Sequence, residues 1–397
     1  MDQHKKNNIL INCNNLDIHQ LIAIVKSGEI TIDEFAQSGL SNSLVAQIVD
    51  SFKTIETEKN TSNEKEDFLK KIKKNKISAD DILSQINSKK ISFDDLEDEG
   101  VSAKVIAALK YYNSANRVTI FKNIDQLPVM EEGRTDLYFV GVPGSGKSTM
   151  LAGLLNAANK KGILLPDTYN NDGSRYQTQL IQDLSRGVLP PATASGSYNY
   201  VALSLKDDND KNHPFNIVEV PGENYINMFN NGDVQQFLNY INNKNKKILV
   251  FVIDSLAHDS GYVDSKNSDD QSLVYVNILN MFAKNGVLEE TDAIYLVSNK
   301  FDAIKNSRYA SDNRNDNEIA LDFLQEEFKS LINNCKDSKN QSKNKFKIKV
   351  LPYSIGSVKY ESIIDDFNMD YSLKIINEIL ADSFVIKGGG WTKMFKL

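Results

Sequence analysis

The stretch Tyr138-Phe-Val-Gly-Val-Pro-Gly-Ser-Gly-Lys-Ser-Thr149 limits the folds open to this chain more than any other. A short apolar run, Leu137 to Val140, reads as a buried strand. It leads into G-x-x-x-x-G-K-S, with Gly141, Gly146, Lys147 and Ser148 in the fixed places, and Met150 to Ala158 then reads as a helix. Strand, glycine loop and helix together make the setting of a phosphate-binding loop. Glycines let successive backbone N–H groups turn toward phosphate oxygens, and the helix N-terminus adds partial positive charge. Lys147 is placed to reach β- and γ-phosphates, and the Ser148 hydroxyl to ligate Mg²⁺. Gly144, Ser145 and Thr149 complete the loop as phosphate-binding candidates.

The rest of the chain bounds the context. Its 397 residues leave room for two or three domains. A net charge of −7 argues against nucleic acid as the main partner. Cys13 and Cys335 lie far apart without metal-ligand spacing, which fits a reducing compartment and no disulfide framework. The N-terminus lacks the apolar core of a signal peptide and no run approaches a membrane span, so the expected location is cytoplasmic.

Residues from about 16 to 113 contain an internal repeat. Ile30-Thr-Ile-Asp-Glu-Phe-Ala-Gln-Ser-Gly-Leu-Ser matches Ile91-Ser-Phe-Asp-Asp-Leu-Glu-Asp-Glu-Gly-Val-Ser, and a partial third copy begins at Ile77. In each unit a short amphipathic helix precedes Thr31, Ser78 or Ser92, which caps the next helix with an acidic residue three places on. Gly39 and Gly100 end those second helices, and Ser41 and Ser102 cap a third. The polar stretch Glu56 to Glu66 reads as a linker or loop. Such a small all-α repeat region either docks a protein partner or serves as a solvated appendage.

Beyond residue 134, apolar runs alternate with amphipathic stretches: Leu137–Val140, Tyr198–Leu205, Asn216–Val220, Ile248–Ile253, Ala293–Val297 and Ile348–Leu351. The pattern predicts an α/β fold with a mostly parallel six-stranded sheet, the second and third strands close enough for an antiparallel hairpin. Helical spacing marks Leu273–Phe282 and Ile319–Ile332, and Lys336–Lys347 reads as an exposed loop. The expected domains are helical repeats at 1–116, a linker at 117–134, the α/β domain at 135–386 and a flexible tail at 387–397.

A phosphate loop alone suits an ATPase or a small-molecule kinase as well as a GTPase. Downstream, Asn299-Lys300-Phe-Asp302 forms an N-K-x-D tetrad at the end of a strand. Ile217-Val-Glu219-Val-Pro-Gly222-Glu223 closes another strand, Thr193 precedes the second strand, and Ser354-Ile355-Gly356 follows the last. In this order the motifs resemble the TRAFAC class of P-loop GTPases, Ras-like and of bacterial type, over about residues 135–385. The resemblance implies that Asp302 accepts hydrogen bonds from guanine N1–H and its amine. It also implies that the Lys300 stem lies along the base, that Asn299 ties back to the phosphate loop, and that Ser354 and Ile355 contact the base edge. Gly222 would sense the γ-phosphate. Glu219 stands where the class has a magnesium-holding Asp, and Glu223 where Ras-like proteins carry the water-orienting Gln. Thr193 becomes the switch threonine and a magnesium ligand, with Thr178 and Thr168 as weaker candidates.

An ionised Asp302 would be left desolvated against adenine, which has no such donor pair. Two hydrogen bonds to a charged acceptor are worth about 10²–10⁴-fold in preference for guanine. The expected cofactors are therefore GTP or GDP with Mg²⁺. Arg175 and Arg186 invite an arginine-finger reading, against which stands ordinary surface charge. Asp254, at a strand end, reads as structural. In the tail, Trp391, Met394, Phe395 and Leu397 mixed with lysines suit a weak membrane-surface contact, a partner, or docking on their own domain.

Overall fold

The computed structural model describes residues 2–114, 121, 124–167, 173–191, 198–225, 234–258 and 271–384, with backbone alone at 54–63, 113–114 and 234–235. The chain divides into two compact units, Met1–Val101 and Ser102–Leu397.

The first unit is all helix: α1 (Gln3–Ile11), α2 (Ile18–Lys26), α3 (Ile32–Gln37), α4 (Asn42–Lys73), α5 (Ala79–Asn87) and α6 (Phe93–Asp98). Thr31 and Ser92 cap α3 and α6 in reciprocal capping boxes with Glu34 and Asp95, and Ser78 caps α5 through the Asp81 amide. Gly39 and Gly100 follow in the left-handed conformation that ends a helix without steric cost. Cys13, Leu21, Ile30, Phe35, Leu40 and Ile48 form one buried cluster. The stretch 56–66 is not the loop its polarity suggests; it lies inside the continuous α4. It contains no Gly or Pro, and Glu and Lys favour the helix, so polarity alone did not break it.

In the second unit, α7 (Ala103–Ser114), included above in the helical region, packs against β9 (Ile363–Phe367). The main sheet has seven strands in the order β2-β3-β4-β1-β5-β6-β7. These are β1 (Thr135–Val140), β2 (Leu164–Pro166), β3 (Asn199–Lys206), β4 (Asn212–Glu219), β5 (Lys246–Asp254), β6 (Thr291–Asn299) and β7 (Lys347–Pro352). β4, β1, β5, β6 and β7 run parallel, whereas β3 pairs antiparallel with both β4 and β2. Ile248 to Ile253 of β5 are fully buried, as a central parallel strand covered on both faces requires. The expected sheet of six strands missed β2, three residues long and ending in Pro166. Such an edge strand is too short to show an alternating pattern.

Helices cover the sheet. α8 (Lys147–Lys161) packs against α9 (Ser174–Ser185) and the C-terminal α15 (Met369–Asp382). After α10 (Val234–Ile241), α11 (Gln271–Lys284) packs against α14 (Lys329–Gln341). α12 (Phe301–Asn306) and α13 (Asp316–Glu327) complete the set. The single helix expected over 319–332 is two, broken at Phe328, whose ring lies 4.8 Å from that of His258. The expected loop at 336–347 is helical as far as Gln341. A two-stranded ribbon of β8 (Gly356–Lys359) and β9 stands apart from the main sheet. Among the described residues no helix is long and apolar enough to cross a membrane.

Candidate functional site

The loops that follow β1, β4, β5, β6 and β7 meet at the carboxyl edge of the sheet, where open α/β sheets bind ligands. Gly146, with φ +89°, turns the loop after β1 into α8, and no side chain caps that helix. The first N–H groups of α8 consequently have no partner within it. A Cβ on Gly146 would lie 2.3 Å from Asn299 Nδ2. Here the Asn299 amide donates to the Ser145 carbonyl at 2.7 Å, joining the N-K-x-D loop to the phosphate loop. The buried Ser145 hydroxyl makes no hydrogen bond of ordinary geometry among the described residues. Gly144 projects at the exposed tip, and Thr149 sits half-buried in the first turn of α8.

Lys147 is 6% exposed, and its ammonium donates to the carbonyls of Gly141 at 2.8 Å and Val142 at 3.1 Å. Burial pulls its pKa down to about 8, while the charges of Glu219 and Glu223 pull the other way. Gly222 lies against the same loop, where a Cβ would come within 2.2 Å of the Pro143 nitrogen. Glu223, half-buried, lies in the short helical turn that begins at Gly222. Tyr275 supports the loop from below, donating to the Val252 carbonyl at 2.7 Å and accepting from the Val142 amide at 3.4 Å.

Glu219, 1% exposed at the end of β4, has its two oxygens in different company. Oε1 accepts from the Ser148 hydroxyl, and Oε2 accepts from the Tyr176 hydroxyl and, at 3.1 Å, from the Asn199 amide. A hydroxyl beside one carboxylate is a hard-oxygen donor set, as Mg²⁺ requires when phosphates supply further ligands. Thr193 and Thr168 lie outside the described residues, and Thr178 is exposed on α9.

On the far side of the loop, Lys300 adopts φ +53° and its amide donates to Asn299 Oδ1 at 2.8 Å. Its ammonium meets Asp254 at 2.6 Å, and Asp254 also accepts from the Leu256 amide at 3.1 Å. Ser354 donates to Asp302 Oδ1 at 2.6 Å, so the loops after β6 and β7 are joined by side chains as well as by the Phe301 amide on the Tyr353 carbonyl. The buried Ile355 side chain approaches α8 at Gly153. Arg186 does not point to a phosphate; its guanidinium stacks 4.4 Å from the Tyr111 ring centroid. Arg175 is exposed on α9. Motif reading missed Tyr176 and Asn199. Neither belongs to a recognisable spacing, and the segment holding Tyr176 offered only its threonines and arginines as chemistry.

A protein-family model described as Double-GTPase 1 matches residues 138–274. That match supports a P-loop GTPase domain. With it comes support for guanine-nucleotide binding. No curated protein matches the chain significantly. Among solved structures, the chain is similar to the signal recognition particle receptor SRb-GTP/SRX complex from Chaetomium thermophilum. Identity is 12%, over 58% of this chain and 99% of that one, with a TM-score of 0.32. It is also similar to a putative nucleolar GTP-binding protein 1 from Plasmodium falciparum, at 16% identity over 64% of this chain and 95% of that one, with a TM-score of 0.28. With TM-scores this low, both likenesses are loose.

Proposed function

We propose that this chain is a GTP-binding switch that hydrolyses GTP slowly with Mg²⁺ and couples its nucleotide state to a protein partner through the N-terminal helices. The observation that supports it most is the joining of three motifs by side chains: Asn299 on Ser145, and Ser354 on Asp302. These bonds hold a base-reading carboxylate at a fixed place relative to a phosphate loop. Gly141, Gly144, Ser145, Gly146 and Thr149 line the phosphate side, with Gly222 against the same loop; Asn299, Lys300, Asp302, Ser354 and Ile355 line the base side.

Ser148 and Glu219 would hold Mg²⁺, together with Thr193. When bound, the ion supplies charge stabilisation to the phosphates and a template for their orientation. Lys147 bears on the charge that develops on the transferred phosphoryl group. Glu223 takes the place of the water-orienting side chain. Its negative charge already bears on Lys147, and that charge near the γ-phosphate favours slow turnover. The same charge favours a second reading, a scaffold that holds nucleotide without hydrolysing it.

Calorimetric competition tests the proposal. GTP binding at least about 10²-fold tighter than ATP is the expected result, from the two charged hydrogen bonds at Asp302. Equal affinities would point instead to an ATPase or small-molecule kinase. Phosphate release abolished by Lys147→Ala would exclude the scaffold.

A further inference from the structure

One departure from the motifs of the class the sequence resembles lies at position 219, a glutamate where an aspartate is expected. The extra methylene of Glu219 adds a torsion and about one bond length of reach, so its carboxylate needs holding to present one oxygen consistently. We propose that Tyr176 and Asn199 are positioning residues that hold Glu219 for the metal, a role that rests on the magnesium reading above. Both donate to Oε2, from different elements, α9 and β3, and Oε1 is directed to Ser148 on the phosphate loop. All three side chains are buried, with Tyr176 7%, Asn199 5% and Glu219 1% exposed.

A clamp is only as firm as its support, and α9 is pinned at both ends. At its start, Gly173 lies so close to β3 that a Cβ would overlap the Tyr200 carbonyl oxygen, at 1.6 Å. Toward its end, Asn156 of α8 donates to the Ile181 carbonyl at 3.2 Å and to the Ser185 hydroxyl at 2.8 Å. α8 begins with Lys147 and Ser148, so the helix that holds the carboxylate is fastened to the helix that carries its hydroxyl partner. The buried hydroxyl of Tyr176 thereby acts on the proposed metal site through Glu219.

The test titrates Mg²⁺ against a fluorescent GDP analogue bound to the full chain. Groups that orient metal ligands typically change metal affinity by about 10–100-fold when removed. Tyr176→Phe is therefore expected to raise the half-saturating Mg²⁺ concentration by about 10–100-fold, while affinity measured in EDTA stays within about twofold of wild type. Asn199→Ala is expected to act in the same direction and serves if Tyr176→Phe does not fold. In a Glu219→Asp background, whose shorter arm no longer reaches the clamp, Tyr176→Phe is expected to add little, a non-additivity that marks action through Glu219. An unchanged Mg²⁺ midpoint in both single variants, or an equal loss with and without Mg²⁺, would overturn the role while leaving nucleotide binding intact. A wild-type chain that binds GDP with no gain from Mg²⁺ would overturn the role and the magnesium reading together.

Discussion

The sheet of the second unit buries charge at both ends, and the two ends are finished differently. At the amino ends of β1 and β5, Asp136 is ringed by amides: Asn216 and Asn245 donate to Oδ1 at 2.8 and 3.0 Å, and Asn243 to Oδ2 at 2.6 Å. Lys247 beside it donates to the Asn243 carbonyl and, at 3.0 Å, to that of Asn245. Burial raises the Asp136 pKa and lowers that of Lys247, but every group has a protein partner. At the carboxyl end, among the described residues, the Lys147 ammonium has only carbonyl oxygens of its own loop as hydrogen-bond acceptors and the buried Ser145 hydroxyl has no partner of ordinary geometry. A buried polar network whose members are all satisfied rigidifies a fold, whereas a partly satisfied one is costly.

Substitution should separate the two ends. Lys147→Ala is expected to reduce single-turnover GTP hydrolysis by about 10²–10³-fold, the loss typical of removing one donor to developing charge. Urea denaturation of the nucleotide-free variant should show no loss of stability, because a desolvated cation has gone. A drop in stability like that of a core variant would break the distinction. Asp136→Ala should do the reverse. It leaves the side-chain amides of Asn216, Asn243 and Asn245 without their shared acceptor and is expected to cost about 1–3 kcal/mol in urea denaturation, with nucleotide affinity of the folded fraction unchanged.

A smaller effect concerns pH. Lys147 has a folded pKa of about 8, below its usual 10.5, because burial disfavours its charge. Between those values the unfolded chain holds a proton that the empty folded chain has lost, so this group's contribution to stability rises with pH across the window. Nucleotide binding has the opposite sign. Phosphates favour the charged amine, so binding takes up a proton, and affinity should be flat below pH 8 and fall about tenfold per unit above it. Calorimetry at pH 7, 8 and 9 in buffers of different ionisation heat reads this directly, and proton release would contradict it.

How much of this was legible in the residues depended on whether a physical signal is local. The glycine loop, the tetrad and the apolar run of β5 each carry their meaning within a few positions, and the structure brings the loop and tetrad together through Asn299. The capped turns at Thr31, Ser78 and Ser92 were equally local. What could not be read was decided elsewhere in the fold. β2 exists because β3 offers it an edge. Residues 56–66 are helical because nothing in them breaks a helix, despite a polarity that resembles a linker. Tyr176 matters because α9 is fastened to β3 and α8, a long-range arrangement with no spacing signature. Thr193 and the tail at 387–397 lie outside the described residues.

Guanine recognition in the proposed function rests on Asp302. Guanine offers two donors on the edge in question, whereas xanthine offers one donor and one acceptor, the complement of an Asn side chain. Affinities of the Asp302→Asn variant for GTP, xanthosine triphosphate and ATP therefore test it directly. GTP binding is expected to weaken by about 10²–10⁴-fold, with xanthosine triphosphate becoming the preferred ligand. Unchanged GTP affinity in the folded variant, with ATP bound as tightly, would contradict it.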